Sequence, residues 1–574
     1  MADRKRKTGQ SAGDPKSDES MEGRTPHALN KIVKVLGMAR NASGERLGIA
    51  VQPRGQPARV HVLDIRLTAP QGTAGLIDWA LKTELDGLLD VGTKSLGAAM
   101  RDAAAGKAVV VLDQPGYHRL MVGDVPLAAY AWGGRVYFLG REPDVKVLVT
   151  GVAANPVARQ GTWEEWIEAI QPIAKVNPRL LVCLCVSLSA AILRAFGVPS
   201  FTLALWAPTT KGKTTCQLVC SAMTGLPKVM QWNGTPIGVQ EFFADRPDQP
   251  ACIDDAHKAR KGDDVAQLVM AAGNGSGRLV SKRSSGSEPP REIHSLPIFS
   301  TEKQLAAMLG NTAASGMFAR SFEIGEGKAE SAHGMFDNLG DHDGGASLSK
   351  HLKRVVKDQY GTIWPRWLKL LSKRWPKVQR LHSEKMPELR AAILKAALEP
   401  SLDPITDRVL DNLSFAAFAG VVATELGLWS IPTRRINSAF GLLLKEHLDR
   451  TPKGNSLAAR FVEAVAGYID THRHMFPPVS RANDPDLSGH VGYLIEHDEH
   501  GPLYAFLPAV FRELFVKKFG DEIYEALRAT GNLVCHGSRH NRFTKRVAAG
   551  PDSKKKPMDF VAVKASIRYA PAPA

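Results

Sequence analysis

The stretch Phe201-Thr-Leu-Ala-Leu-Trp206-Ala207-Pro208-Thr209-Thr210-Lys211-Gly212-Lys213-Thr214-Thr215 decides how the rest of the chain is read. Phe201 to Trp206 is a short apolar run between Pro199 and a Gly/Thr-rich turn, the pattern of a strand buried on both faces of a parallel sheet. The residues after it fit GxxxxGK[ST] except at the first position, where Ala207 stands in place of glycine. CQLVCSAMTG then continues as a helix. Such a loop aims backbone N–H groups at phosphates, and the helix behind it presents its positive end. Lys213 would bind the β- and γ-phosphates of ATP, and the Thr214 hydroxyl would bind Mg²⁺. A surface turn rich in Gly, Lys and Thr has the same composition. The strand before the loop and the helix after it favour the phosphate cradle of residues 207–215.

Such a cradle needs an acidic partner at the end of a neighbouring strand. Ala251-Cys-Ile-Asp254-Asp255 supplies an apolar run ending in two carboxylates. Asp254 is expected to hold a water on the metal, and Asp255 to polarise the attacking water. A third strand, His294-Ser-Leu-Pro-Ile-Phe-Ser300-Thr301-Glu302, ends in polar groups able to sense the γ-phosphate. Arg320 precedes the strand-like Ser-Phe-Glu-Ile run and reads either as a surface arginine or as a finger reaching a neighbouring subunit's nucleotide. Between the second and third strands, Asn274 to Arg291 is Gly/Ser-rich and basic. It is either a solvated loop or a hairpin offering Arg278, Lys282 and Arg283 to a nucleic-acid backbone.

Outward from this centre, residues 29–145 read as an α/β module whose first hairpin turns at Asn41 to Gly44. A linker near Pro143 to Gly161 leads to Thr162-Trp-Glu-Glu165, which has capping-box spacing, and two helices follow, broken at Asn177-Pro178. Leu180 to Leu193 is about fourteen residues of apolar sequence, short of the ~20 a spanning helix needs, so it reads as a buried helix. Residues 349–475 are helical, with Trp364, Trp367 and Trp375 placed as core rather than as stacking platforms. From about residue 503 the order is helix, helix, strand, turn, strand, with Tyr504 to Gly520 as the first helix. Met1 to Ala28 has no apolar stretch, which excludes a signal peptide, and reads as a disordered tail.

The 574 residues are 44% hydrophobic and carry a formal charge of +16, which favours a polyanionic partner, nucleic acid or an anionic membrane surface, without choosing between them. Lys350 to Arg380 and Arg528 to Ala574 each contain ten basic residues and together account for about the whole excess. None of the six cysteines forms a CxxC pair, which argues against a disulfide framework or zinc knuckle and for a reducing, cytoplasmic setting.

Taken in order, GYHRLMVGD, RVYFLGRE, GTWEEW, NPRLL, APTTKGKTT, ACIDDA, LVMAAGNGSGR, PIFSTEK, ARSFEI and YAFLPAVFRELFV…TKRV resemble the domain-of-unknown-function 927 family. These are helicase-like ATPases of phages, plasmids and chromosomal cassettes, similar to AAA+ ATPases of the minichromosome-maintenance type. The resemblance spans roughly residues 30–570. It implies a multidomain α/β protein: a disordered tail at 1–28, an N-terminal α/β module at 29–145 and a P-loop AAA+ parallel sheet at 146–348. A helical lid or insertion region at 349–475 and a basic winged-helix-like domain at 476–574 complete it. By the same resemblance Lys213 and Thr214 match the Walker A positions and Asp254 and Asp255 Walker B. Ser300 or Thr301 matches sensor one, Arg320 the arginine finger and Arg408 sensor two. Asp255 departs from the usual glutamate and is one methylene shorter. The implied activity is an ATP-dependent DNA helicase or translocase of a mobile element. It would use ATP and Mg²⁺, form a homo-oligomeric ring, hexameric in the resembled group, and act on single-stranded and duplex DNA without a membrane. Two alternatives stay open: a non-motor ATP switch or DNA-binding initiator, and a small-molecule kinase, which the basic excess disfavours.

Overall fold

A computed structural model describes residues 29–567 apart from 57–58, 92, 123–124, 234, 260–261, 278–279, 283–285, 289–290, 306–307, 309–314, 328–332, 398–401, 403, 451–456, 482–488, 536–541 and 548–555. The expected tail at 1–28 lies outside this set. The chain is a multidomain α/β protein with one mixed sheet, one wholly parallel sheet and further antiparallel ones.

The N-terminal hairpin forms where the turn residues place it. Strands β1 (Val33–Arg40) and β2 (Arg46–Pro53) pair antiparallel. Between them Asn41 Oδ1 accepts the Glu45 N–H at 2.9 Å, and Gly44 takes a φ of 87°, which side chains disfavour. With β3 (His61–Asp64) and β4 (Ala108–Leu112) they make a sheet. Helices α1 (Thr73–Lys82) and α2 (Thr93–Ala104) cover it, setting Leu76, Leu96 and Met100 on Val33, Val35 and Ile49. Strands β5 (Gly116–Val122), β6 (Val125–Trp132) and β7 (Arg135–Phe138) form a separate antiparallel sheet. Strand β8 (Lys146–Val149) then returns to pair parallel with β4. The expected boundary at 145 and the linker at 143–161 therefore need correction. Strand β8 completes the N-terminal sheet in the order β3-β2-β1-β4-β8, and the module runs on through the turn at Gly151–Ala154.

The core begins with α3 (Trp163–Val176), whose capping box between Thr162 and Glu165 is formed, and α4 (Pro178–Ser189), started by the break at Asn177-Pro178. Next come β9 (Thr202–Trp206), α5 (Lys213–Thr224), β10 (Met230–Gln231), α6 (Pro236–Ala244), β11 (Pro250–Asp254) and α7 (Gly262–Asn274). A two-stranded hairpin, β12 (Val280–Lys282) and β13 (Gly286–Glu288), precedes β14 (Leu296–Thr301) and β15 (Ser321–Gly325). The core sheet runs β10-β11-β14-β9-β15 with every pairing parallel. All its strands point their C-terminal ends to one edge, where ligands of such sheets bind.

Helix α4 is apolar on every side because it is enclosed on every side. The sheet lies beneath it, and the helices α8 (Gly345–Asp358), α9 (Ile363–Ala396), α10 (Pro404–Glu425) and α11 (Thr433–Arg450) join the same hydrophobic cluster. Trp364 and Trp367 are fully buried there and Trp375 nearly so, which makes them core. Helix α9 kinks at Arg374 (φ −126°, ψ 21°), two residues before Pro376, whose missing N–H and ring disrupt the preceding turn.

The C-terminal unit starts earlier than expected. Helix α12 (Leu457–Thr471) packs Phe461, Val465 and Ile469 against Phe506, Phe511, Phe515 and Leu527, so it belongs with this unit rather than with the helical region ending at 475. The sheet here runs β16 (Gly492–His497), β17 (Gly501–Phe506), β20 (Lys556–Lys564), β18 (Leu533–Val534), with β19 (Phe543–Val547) also paired to β20. The first helix, expected from Tyr504, begins instead at Pro508. Leu507 before the proline is extended (ψ 132°), as residues preceding proline tend to be, and Tyr504 to Phe506 finish β17. All six cysteines are free. Among the described residues no helix is long and apolar enough to cross a membrane.

A buried carboxylate joins the N-terminal module to the core. Asp248, 1% exposed, accepts the Tyr117 N–H at 2.7 Å and pairs with Arg194 at 2.9 Å. Its carbonyl accepts the Tyr130 hydroxyl at 2.7 Å. Its φ of 58° suits only a few residue types, Asn and Asp among them. Burial raises the Asp248 carboxyl above the ordinary carboxylate value, against the opposing pull of Arg194. A raised folded-state value means stability is full below the ordinary value and is lost as pH climbs through the raised one. Asp248→Asn keeps the backbone tolerance and the acceptor but cannot ionise. Its melting temperature relative to wild type should therefore rise with pH across that window. A parallel pH course for both proteins, followed by circular dichroism, would contradict this.

Candidate functional site

Three segments separated in sequence meet at the C-terminal edge of the core sheet. The first is the loop 207–212 between β9 and α5. It turns through Thr210 (φ 66°) and Gly212 (φ 88°), and the helix starts at Lys213. Gly212 is required twice over: its φ is left-handed, and a Cβ there would meet the Phe336 ring at 2.8 Å. Ala207 is fully buried and hydrogen-bonds from its N–H to the Thr301 carbonyl at 3.2 Å, in line with the β9–β14 pairing. Ala207 is absent from the residues of positive φ, so the missing glycine carries no backbone penalty.

Lys213 is 7% exposed, and its Nζ donates to the carbonyls of Ala207 at 2.5 Å and Pro208 at 2.9 Å. Burial pushes its ammonium below the ordinary lysine value, while Glu302, Asp254, Asp255 and Glu326 pull it back up. Thr214 Oγ1 donates to Asp254 Oδ2 at 2.9 Å. Asp254 closes β11, and its other oxygen accepts the Ser300 hydroxyl from the end of β14. Ser300 Oγ in turn accepts the Asp255 N–H at 3.0 Å. The loop hydroxyl, the strand-end carboxylate and the third-strand hydroxyl are thus in one hydrogen-bonded chain.

The other named residues sit differently. Asp255 has a left-handed backbone (φ 58°), and its carboxylate is ion-paired with Lys258 at 2.5 Å. Thr301 turns away from the loop: its Oγ1 bonds the Lys303 carbonyl at 3.0 Å and Met308 Sδ at 2.7 Å. Ser300 therefore meets Asp254 and Thr301 does not. Glu302 reaches the loop by accepting the Thr209 hydroxyl, and that bond holds its carboxyl below the ordinary value. Thr215 is buried at the start of α5, and Lys211 lies 3.7 Å from Glu326.

Arg320 and Arg408 lie elsewhere. Strand β15 runs parallel to β9 with Ser321 beside Thr202 and Gly325 beside Trp206. Arg320 precedes Ser321, so it stands at the edge opposite the loop, roughly 20 Å from Ala207 along the strand at 3.3 Å per residue. It lines a cavity of about 420 Å³ together with Arg408, His382 and Asn412. The two arginines share one cavity, remote from their own chain's Lys213. Arg278 and Arg283 lie outside the described residues; Lys282 ends strand β12.

Sequence reasoning missed four contributors. Gln231 Nε2 donates to Asp254 Oδ2 at 3.4 Å. Gln217, one turn beyond Thr214, ties the carbonyls of Ile253 and Ile298 at 2.8 and 3.0 Å, bracing two strand ends. A polar residue among Cys216, Val219 and Cys220 on an otherwise buried helix is the signal that could have found it. The segment around Met335 presses on the loop, with its N–H donating to the Lys211 carbonyl at 2.8 Å. Arg179, fully buried, holds that segment: it forks onto Asp337 at 2.7 and 2.8 Å and onto Glu446 of α11 at 2.5 and 2.6 Å. Its partners lie 158 and 267 residues away, out of reach of any local pattern.

Comparison with known proteins agrees with this architecture. The family model described as "Domain of unknown function (DUF927)" matches residues 82–291, from the end of α1 through the loop and Asp254 to the hairpin. No curated protein matches. A solved structure described as "SCCmec type IV Cch - active helicase" is similar over 93% of this chain and 94% of that one, with a TM-score of 0.67 and 14% sequence identity. The chain thus shares, over nearly its full length, the fold of a protein described as a helicase.

Proposed function

We propose that the chain is an ATP-driven motor on DNA, a helicase or translocase of a mobile element built on a P-loop AAA+ core. The carrying observation is the hydrogen-bonded chain Thr214–Asp254–Ser300, which joins the loop to two neighbouring strand ends. The donor set also suits Mg²⁺, a hard cation usually held by one or two carboxylates plus substrate phosphates. Thr214 and Asp254 would hold the ion, which when bound would neutralise charge on the phosphates. The N–H groups of loop 207–212 would orient the phosphates, and Lys213 would leave its two carbonyl partners to meet them.

Arg320 and Arg408, at the far edge, would complete the nucleotide site of a neighbouring copy, so the active form is a homo-oligomer, a ring in this reading. The hairpin at Val280–Glu288 and the C-terminal β19–β20 ribbon, which carries Lys545, Arg546 and Lys556, would contact DNA, the ribbon as the wing of a winged helix. The fold neighbour described as an SCCmec active helicase supports the motor reading, and the family model matched over residues 82–291 spans the loop and Asp254 on which it rests. A second reading, an ATP switch with little hydrolysis, draws on the Asp255–Lys258 ion pair, which occupies the carboxylate expected to polarise water.

ATP hydrolysis with and without single-stranded DNA tests both. Strong stimulation supports a motor, while binding without turnover supports the switch. Ser300→Ala probes the site more finely. Loss of its hydroxyl leaves Asp254 loosely oriented, and the Mg²⁺ concentration for half-maximal hydrolysis should rise roughly tenfold. An unchanged Mg²⁺ titration would remove Ser300 from the site.

A further inference from the structure

A cavity of about 470 Å³ opens between the first half of α9 and the C-terminal end of α10, within the size range of small-ligand pockets. Its walls carry Arg366, Lys373, Arg374 and Lys377 around Leu370, with Glu425 opposite. Positions 366, 370, 373, 374 and 377 recur at helical spacing and so share one face of α9. Like charges at this spacing repel, and the obvious relief is absent. The one carboxylate is already taken, since Lys377 Nζ donates to Glu425 Oε2 at 2.9 Å and to its carbonyl at 3.0 Å. Lys373 and Arg374 are exposed and make no ion pair among the described residues. The Arg366 guanidinium lies over the Trp163 ring, 4.3 Å from its centre, and its Nε is buried with no hydrogen-bond partner. Stacking fixes the plane of an arginine while leaving its N–H edge able to fork onto a phosphate. The kink at Arg374 further sets that residue off the helical path.

We propose that this cavity grips the phosphate backbone of a nucleic-acid strand through Arg366, Lys373 and Arg374. It would be a contact separate in sequence from the hairpin and the C-terminal ribbon. The inference rests on the reading that the chain handles DNA. The chemistry, three unneutralised cations converging on one nucleotide-sized space, recognises phosphates and carries no base-edge code.

The test uses the full chain with both exposed residues reversed, Lys373→Glu with Arg374→Glu, and a labelled single strand of mixed sequence. Affinity at low salt should fall about tenfold or more. The slope of log affinity against log salt should flatten by roughly 1.4, the share of two single-strand phosphate contacts. The same loss on a duplex of equal length also supports a backbone contact. Lys373→Arg with Arg374→Lys should keep the affinity, and the melting temperature of all variants should match wild type. Unchanged affinity and slope in the reversed variant, with wild type binding normally, overturn the cavity alone. So does a variant that binds strands normally but loses binding of free tripolyphosphate, which would assign the cavity to a soluble phosphate. A wild-type chain that binds neither strand nor duplex sinks the DNA reading and this inference with it.

Discussion

Lys213→Ala should cut ATP hydrolysis by at least about a hundredfold, the usual scale for removing one preorganised charge from a transition state. The side chain is held inside the loop by the carbonyls of Ala207 and Pro208, the loop proposed to cradle the phosphates. No other cation lies among its hydrogen-bond partners, and the ionisable groups around it are the carboxylates Glu302, Asp254, Asp255 and Glu326. Without the lysine those acids would face an anionic nucleotide uncompensated. The fold should survive. The truncation leaves two loop carbonyls short of a donor, a cost of about 1–3 kcal/mol, but it also removes a cation whose burial is itself unfavourable. The melting temperature should therefore shift by no more than a few degrees. Full-rate hydrolysis by the purified variant would end the nucleotide assignment.

Arg320→Ala should also abolish most hydrolysis, but its defect should be complemented. An arginine finger supplies about 10³–10⁵ in rate. In this structure Arg320 stands across the sheet from its own loop, with Arg408 in the same cavity. Mixed with an equal amount of Lys213→Ala protein, each Arg320→Ala chain can lend its intact loop to a neighbour's intact Arg320. Random assembly makes about a quarter of the interfaces complete, so activity should return to about a quarter of wild type. Two inactive proteins that stay inactive when mixed, each shown to assemble, would place Arg320 outside the reaction.

What the sequence made legible was local. Thr162 capping Glu165, the break at Asn177-Pro178, the Asn41–Gly44 hairpin and the β9–loop–α5 unit each follow from residues a few positions apart. The strand ends at Asp254 and Ser300 could be nominated from apolar runs stopping at polar residues, and the structure places the two side by side. What stayed hidden depends on distant partners. Asp248 meets Tyr117 across 131 residues, and Arg179 meets Glu446 across 267. Strand β8, only four residues long, belongs to a sheet it reaches after a three-stranded detour, which no periodicity reveals. Thr301 and Ser300 were indistinguishable on paper. Strand alternation sends their hydroxyls to opposite faces, and only Ser300 finds Asp254.

In the proposed reading, where Arg320 and Arg408 serve a neighbour's nucleotide, their separation from the loop has an arithmetic consequence. A solitary copy would own two half-sites that cannot touch. An open row of copies would always leave one nucleotide unserved at one end and one arginine pair idle at the other, so the idle fraction grows as the row shortens. Only closure on itself removes both ends. Turnover per chain should then climb with protein concentration, faster than proportionally at first, and level off where closed assemblies dominate. Dilution alone would act as an inhibitor, with no change in any single molecule.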